Sequence, residues 1–420
     1  MTRSSVRRLF PALRSRPGHP SPVYLDSACM SLVPQPVLDA MMAYYREYPG
    51  CAGRSFHRYA EEVSHRFEGA RESFHHFLNT PSPAEVVFTK NSTEAINLVG
   101  QGLRWKPGER VLISDQEHNS NLILWHRLRD EQGVRLDILK LSEDGSFDLE
   151  AFEAQLKPET RLVSLFHISN LDGRELPIRD IAERVHAHGG RLLVDGCQAA
   201  PHLRVDLAAL GADYYAISGH KMLGPTGTGV LATRAPELMA ELRPLLLGGN
   251  TVEWSTLEGH ELRAPPERFE AGLQNYAGVI GAGAAVHFLE QQGLSEIRSH
   301  DLSLNEQLTR AFAGEPRLHV IGPTSAAKRP SIFAFTLDGI DPNDAALFLD
   351  EAHRVLLRSG MHCVHSWYLA RGLSGNLRAS FYLYNRPSDV RTLTRGLREL
   401  LERLPPGASG PLPPGPPKAG

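Results

Sequence analysis

Cysteine is scarce in this chain: Cys29, Cys51, Cys197 and Cys363 are the four in 420 residues, and no C-x-x-C pair occurs. So few and so scattered, they exclude a disulfide framework and argue against a structural zinc ribbon. A reduced, cytoplasmic protein is the expectation. No apolar run approaches the roughly 20 residues that would cross a bilayer. Excess charge is missing too, with a net of −3, so neither nucleic acid nor an anionic membrane is expected as a partner. The first twenty residues contain no acid but carry Arg3, Arg7, Arg8, Arg14 and Arg16. That bias resembles a transit peptide, while the missing apolar h-region excludes a secretory signal. Val6, Leu9, Phe10 and Leu13 stand at i, i+3, i+4, i+7 spacing, which favours a short helix, Ser4–Leu13, packed on the body.

What remains is an ordinary globular composition, 41% apolar, in a chain long enough for one large and one smaller core. From Glu85 to Arg234 short β-rich runs alternate with helical ones. The strands are expected at Glu85–Thr89, Arg110–Asp115, Arg135–Leu141, Arg161–His167, Arg191–Cys197, Tyr214–Ser218 and Gly229–Arg234. Helices separate most of them, at Thr93–Leu103, Leu122–Gln132, Leu149–Leu156 and Ile178–His188. Runs such as LVSLF and LLVDG are almost continuously apolar, as in strands covered on both faces. The pattern argues an α/β fold with a mostly parallel, doubly wound sheet. The last two strands are too close together for a crossover, so one is expected to run antiparallel.

Gly248–Pro266 reads as loop-rich. Helices resume at Gly278–Gln292 and Ser295–Ala313. An α+β unit follows: strand Ser331–Leu337, helix Asn343–Glu351, strands near Val355–Arg358 and Leu377–Tyr382, and a final helix Ser388–Leu404. The expected division is 1–22 as a helix packing with the smaller unit, 23–287 as the large domain and 288–404 as the small one. The Pro/Gly-rich 405–420 can bury almost nothing and is expected to be disordered.

The chemistry concentrates at strand ends. In YYAISGHKMLGPTGTGVL, Lys221 leaves a buried strand for a Gly-rich loop, flanked by Ser218 and His220. A lysine so placed suits a Schiff-base amine, although taken alone the reading as a surface lysine in a turn would win, since lysines after strands are common. In LLVDGCQAAPHLRVD, Asp195 closes an apolar strand, where a carboxylate is costly unless paired. A pyridoxal-phosphate (PLP) site needs such an acid opposite the ring nitrogen, and Gln198 lies one turn on. A helix cap or loop ion pair is the alternative for Asp195.

Ser92 and Thr93 open a helix after a strand, as a phosphate site does and as any Ser/Thr cap does. His118 in SDQEHNSNLILW stands where an imidazole stacks on a flat ring. Together Ser92, His118, Asn170, Asp195 and Lys221 follow strand ends, the edge at which open α/β sheets bind ligands. Further on, VLLRSGMHCVHSW sets Cys363 between two histidines. Arg358 or a protonated His362 beside it would favour a nucleophilic thiolate. A buried small apolar residue, an incidental loop thiol or a metal ligand are the other readings, and one thiolate alone argues against metal. Arg378, in LRASFYLYN, suits bidentate pairing with an amino-acid carboxylate or a surface ion pair.

In combination TEAINLV, EHNSN, HISN, VDGCQA, SGHKMLGPTG, RFEAG, RSGMHC and LRASFYLYN resemble the class V aminotransferase family. Within it they are most similar to the SufS-type (group II) cysteine desulfurases, from about Val6 to about Leu404. The resemblance implies a fold type I PLP enzyme, with Lys221 as Schiff-base lysine, Asp195 as pyridinium partner, Gln198 on the ring oxygen and His118 on the ring. It implies Ser92, Thr93, Ser218 and His220 for the phosphate, and Asn170, Arg378 and Arg358 for the substrate. Cys363 would be the persulfide-forming nucleophile, and the enzyme a homodimer acting on L-cysteine or L-selenocysteine and feeding a sulfur acceptor. Other class V PLP chemistry (a selenocysteine lyase, an epimerase, another β-lyase) and a non-catalytic scaffold are the alternatives. Two positions depart from the pattern. Leu273 stands where desulfurases usually have a threonine reaching the partner's phosphate, a hydrogen bond worth about 1 kcal/mol. Met361 replaces one histidine of a double-His motif.

Overall fold

The computed structural model describes residues 6–18 and 20–403. The start of the expected opening helix (Ser4, Ser5) and the 405–420 tail lie outside them. Among the described residues there are fifteen strands. Strand β1 is Val23–Tyr24. Strands β2 (Val86–Thr89), β3 (Arg110–Ser114), β4 (Arg135–Leu139), β5 (Thr160–Phe166), β6 (Arg191–Asp195), β7 (Tyr214–Ser218) and β8 (Gly229–Thr233) form the large sheet. Its order is β2-β8-β7-β6-β5-β3-β4. All neighbours are parallel except at β8, which is antiparallel to both β7 and β2. The short β7–β8 connection forces that reversal, since a parallel crossover needs a dozen or more residues.

Side chains alternate along each strand between two cores. Leu112, Val163, Leu192, Val194, Tyr215 and Ile217 enter one apolar cluster. Val111, Ile113, Leu162, Leu193, Tyr214 and Ala216 enter the other. Both faces are therefore covered, which explains the unbroken apolar runs. Every strand ending in the central parallel region delivers its last residue to one edge.

A second, four-stranded antiparallel sheet, β11-β12-β15-β14, packs on its own apolar cluster. Its strands are β11 (Leu318–Val320), β12 (Ile332–Leu337), β14 (Arg358–Gly360) and β15 (Asn376–Ser380). Strand β13 (Val355–Leu356) pairs instead with β1, so the expected Val355–Arg358 strand divides between two sheets.

Three details add to the expected outline. Gly248–Pro266 is not all loop: β9 (Val252–Ser255) and β10 (His260–Leu262) form an antiparallel hairpin there, whose mixed exposed residues carry no alternating apolar signal. The helix Tyr276–Gln292 runs unbroken through the 287/288 boundary, and the chain turns at Gly293, φ 75°. The opening segment does not belong to the smaller unit alone. Phe10 packs on Phe288 and Tyr384 within the larger core, while Arg7 reaches Asp389 of the last helix at 3.1 Å.

One buried ion pair braces the large sheet. Arg71 and Glu270, 2% and 1% exposed at their side chains, meet at 2.7 Å, and Glu270 also accepts the Phe88 amide at 2.8 Å. Replacing Glu270 by alanine leaves a buried guanidinium whose remaining carboxylate partner is the exposed Glu68, with the Val86 carbonyl accepting at 2.8 Å. The expected loss is about 3–5 kcal/mol of stability, measured as a lowered urea midpoint.

Candidate active site

The strand ends meet the smaller sheet in a cleft of about 210 Å³. Its wall contains Ser92, Thr93, His118, Asn170, Asp195, Ser218, His220, Lys221, Arg358 and Arg378. Residues predicted separately along nearly 300 positions of sequence thus share one small space. Gln198 and Cys363 are not part of that wall. The Gln198 amide nitrogen donates to the Ala28 carbonyl at 2.7 Å, and Cys363 sits behind Arg358.

Asp195 ends β6 and is buried. One oxygen accepts the Cys197 amide at 3.0 Å, and among the described residues no cation pairs with it. A buried carboxylate left so is expensive, and it suits a cationic ring nitrogen. Lys221 follows β7 in a single 3-10 turn, Gly219–Lys221, half-buried across the same space.

The helix Ser92–Gly102 begins at the cleft with Asn91 as its cap, accepting the Glu94 amide at 3.0 Å. Ser218 Oγ accepts the Ser92 amide at 2.9 Å and donates to Ser92 Oγ at 3.0 Å. Thr93 Oγ1 and Ser120 Oγ are 2.7 Å apart. Hydroxyls gathered at a helix N-terminus, where the Thr93 amide has no intrahelical acceptor, suit a phosphate.

His118 Nδ1 accepts the Ser120 amide at 3.1 Å, leaving Nε2 to carry the proton. Burial, then the charge of Lys221, lowers its pKa to about 4, so the ring is neutral near pH 7. His220 is likewise pushed down to about 4, by burial and Lys221. Beneath His118, Glu117 accepts hydrogen bonds from Ser114 at 2.6 Å and Asn121 at 2.8 Å. Burial pushes the Glu117 carboxyl up to about 8. It is an anchor for the His118 turn that the EHNSN pattern contains but does not explain.

Arg378, 1% exposed, donates from Nη1 to the Asn170 carbonyl at 2.7 Å and lies 3.4 Å from Asp26. Among the described residues its buried Nε has no partner. An orphaned guanidinium donor beside a cleft suits a carboxylate. Asn170 spends one amide donor on the His362 carbonyl at 2.8 Å, so it holds the neighbouring loop as well as lining the cleft.

That loop carries Cys363. His362 and Cys363 both have left-handed backbones, φ 48° and 61°, a conformation that costs energy for non-glycine residues. Two hydrogen bonds to its carbonyls hold it: Asn170 to His362, and the Asn119 amide to Cys363 at 2.7 Å. Arg358 Nη2 stands 3.9 Å from Cys363 Sγ. The expectation of a protonated His362 is wrong. The ring is buried against Asn376, which accepts from Nε2 at 2.5 Å, and burial beside Arg378 lowers its pKa to about 2. Arg358 is the cation at the thiol. Met361 packs against Leu171, Val364, Trp367 and Tyr368, which is why an apolar side chain serves there. Leu273 lies 60% exposed on the surface, away from its own chain's cleft. Reasoning from sequence missed Cys29 and Asp26, which also approach the two arginines.

These residues fit a flat, anionic, pyridine-bearing cofactor: an unpaired buried acid, a neutral imidazole, an amine and a hydroxyl-lined helix start. A sequence profile for the aminotransferase class-V family matches residues 23–393. A probable cysteine desulfurase of Streptomyces coelicolor is 37% identical over 94% of this chain and 96% of its own length. The apo structure of the cysteine desulfurase from Thermococcus onnurineus NA1 superposes with a TM-score of 0.90 at 34% identity, covering 96% of this chain and 98% of that one. The Escherichia coli cysteine desulfurase CsdA, in its S-sulfonic acid form, gives 0.87 at 32% identity over 96% and 99%. With its strand-end constellation and nearly its whole length matched, this chain belongs to the class V aminotransferase family.

Proposed function

We propose that the protein is a PLP-dependent L-cysteine desulfurase that converts cysteine to alanine and collects the sulfur as a persulfide on Cys363. The observation that carries this reading is Arg358, which stands in the wall of the cleft with Lys221 and Asp195 while reaching back to the Cys363 sulfur. An epimerase or transaminase has no use for a thiol held at that point.

PLP, when bound, supplies a sink for the electrons released at the amino-acid Cα. Asp195 would face the ring nitrogen and favour its protonated form, and Ser92, Thr93, Ser218 and the neutral His220 would hold the phosphate. Arg378 and Asn170 orient the substrate carboxylate. Lys221 Nζ, free once the substrate amine is seated, moves the Cα proton. His118, neutral in the cleft wall, would stack on the ring without adding charge. Cys363 attacks the substrate sulfur: the substrate C–S bond breaks, an S–S bond forms, and the carbon takes a proton to leave as alanine.

A homodimer is part of this reading. Phe56, Leu247, Trp254, Leu257 and Leu273 are exposed apolar side chains on segments tied together through Arg54, Gly249 and Gly272. Apolar surface of that kind is usually covered. No helix among the described residues is long and apolar enough to span a membrane, and we place the enzyme in the reducing cytoplasm, where its four free cysteines stay thiols. A protein or small thiol would take the sulfur from Cys363.

The purified holoenzyme, given L-cysteine and a reductant, should release alanine and sulfide in equal amounts. Turnover of selenocysteine with none of cysteine would favour a lyase instead. Racemised amino acid with no sulfide would overturn the proposal.

A further inference from the structure

Cys29 has no role in the scheme above, yet it lines the same cleft as Lys221, His118 and Arg378. Arg358 Nη1 donates to its sulfur at 2.6 Å, while Nη2 of the same guanidinium faces Cys363 at 3.9 Å. A thiol present only for packing would sit among apolar atoms. This one has a cation donating to its sulfur and faces the cleft that also holds Lys221. Burial raises the Asp26 carboxyl above its ordinary range, with Arg378 and Arg358 opposing.

We propose that Cys29 is a second sulfur-carrying residue of the site, which takes the sulfane sulfur from Cys363 across the Arg358 guanidinium. The proposal rests on the desulfurase reading. Cys29 sulfur, losing its proton to solvent and held as a thiolate beside Arg358 Nη1, attacks the outer sulfur of the Cys363 persulfide. The bond from that sulfur to Cys363 breaks and a new S–S bond to Cys29 forms. Cys363 leaves as a thiolate beside Arg358 Nη2 and recovers a proton. One S–S bond is exchanged for another, so no oxidant or reductant is needed. The step empties Cys363 for a second substrate, and the site stores two sulfurs before any acceptor arrives.

The test is a loading experiment on the holoenzyme with excess cysteine and no reductant, reading the alanine burst and mapping sulfur by peptide mass spectrometry. The wild type should give about two alanines per active site, with added sulfur on both Cys29 and Cys363. Cys29→Ser should give about one, on Cys363 alone. In Cys363→Ser no sulfur should reach Cys29. Sulfur confined to Cys363 in the wild type, even as a longer chain, overturns the proposal, as does loading of Cys29 without Cys363. Mapping the wild type decides the matter even if Cys29→Ser does not fold. Absence of alanine from every sample is a separate result, which sinks the desulfurase reading itself.

Discussion

Replacing Lys221 by alanine is expected to lower cysteine turnover by roughly 1,000-fold or more, the range lost when a positioned proton carrier is removed. Lys221 is the amine on the 3-10 turn after β7, in the same cleft wall as Asp195, and no other lysine stands in that wall. Borohydride reduction separates the covalent role from simple charge. Wild-type protein should gain a pyridoxyl group on the peptide containing position 221, and Lys221→Ala should gain none. Lys221→Arg keeps a cation but not an amine, so it should fail in the same way. Rescue by arginine, or a pyridoxyl group on some other lysine, would show that Lys221 contributes charge alone.

That lysine could be found in the sequence because its surroundings are local. Strand β7 ends at Ser218, and everything that makes Lys221 distinctive lies within a few residues. Asp195 was legible for the same reason: an acid closing the run LLVD is a local anomaly. The sheet was legible because strands buried on both faces write long apolar runs, and even the antiparallel β8 followed from a connection too short to cross over. The hairpin of β9 and β10 escaped because its exposed Glu253, Trp254 and Glu261 write no period-two pattern. Cys29 escaped for a different reason. Its significance comes from Arg358, more than 300 residues away, and no local pattern announces such a contact. His362 was misread in a related way. The sequence shows a histidine beside a thiol, but only the fold buries the ring on Asn376 and keeps it neutral.

Cys363→Ala is expected to separate binding from sulfur chemistry. Sulfide release from cysteine should fall by roughly 100-fold or more, equivalent to about 2.7 kcal/mol of barrier. Cofactor binding should persist, since Cys363 stands outside the cleft wall and the groups suited to holding PLP do not include it. Alanine keeps a Cβ, so the left-handed backbone at φ 61° is no more strained than before. The loop also keeps both holding contacts, Asn170 to the His362 carbonyl and the Asn119 amide to the carbonyl of residue 363, because neither involves the thiol. The fall should therefore appear in kcat with KM little changed, the mark of a group used after substrate is bound. Yellow protein whose spectrum still responds to cysteine, but which yields almost no sulfide, is the expected outcome. Undiminished sulfide from that variant would remove Cys363 from the mechanism, and with it the source from which Cys29 is held to draw.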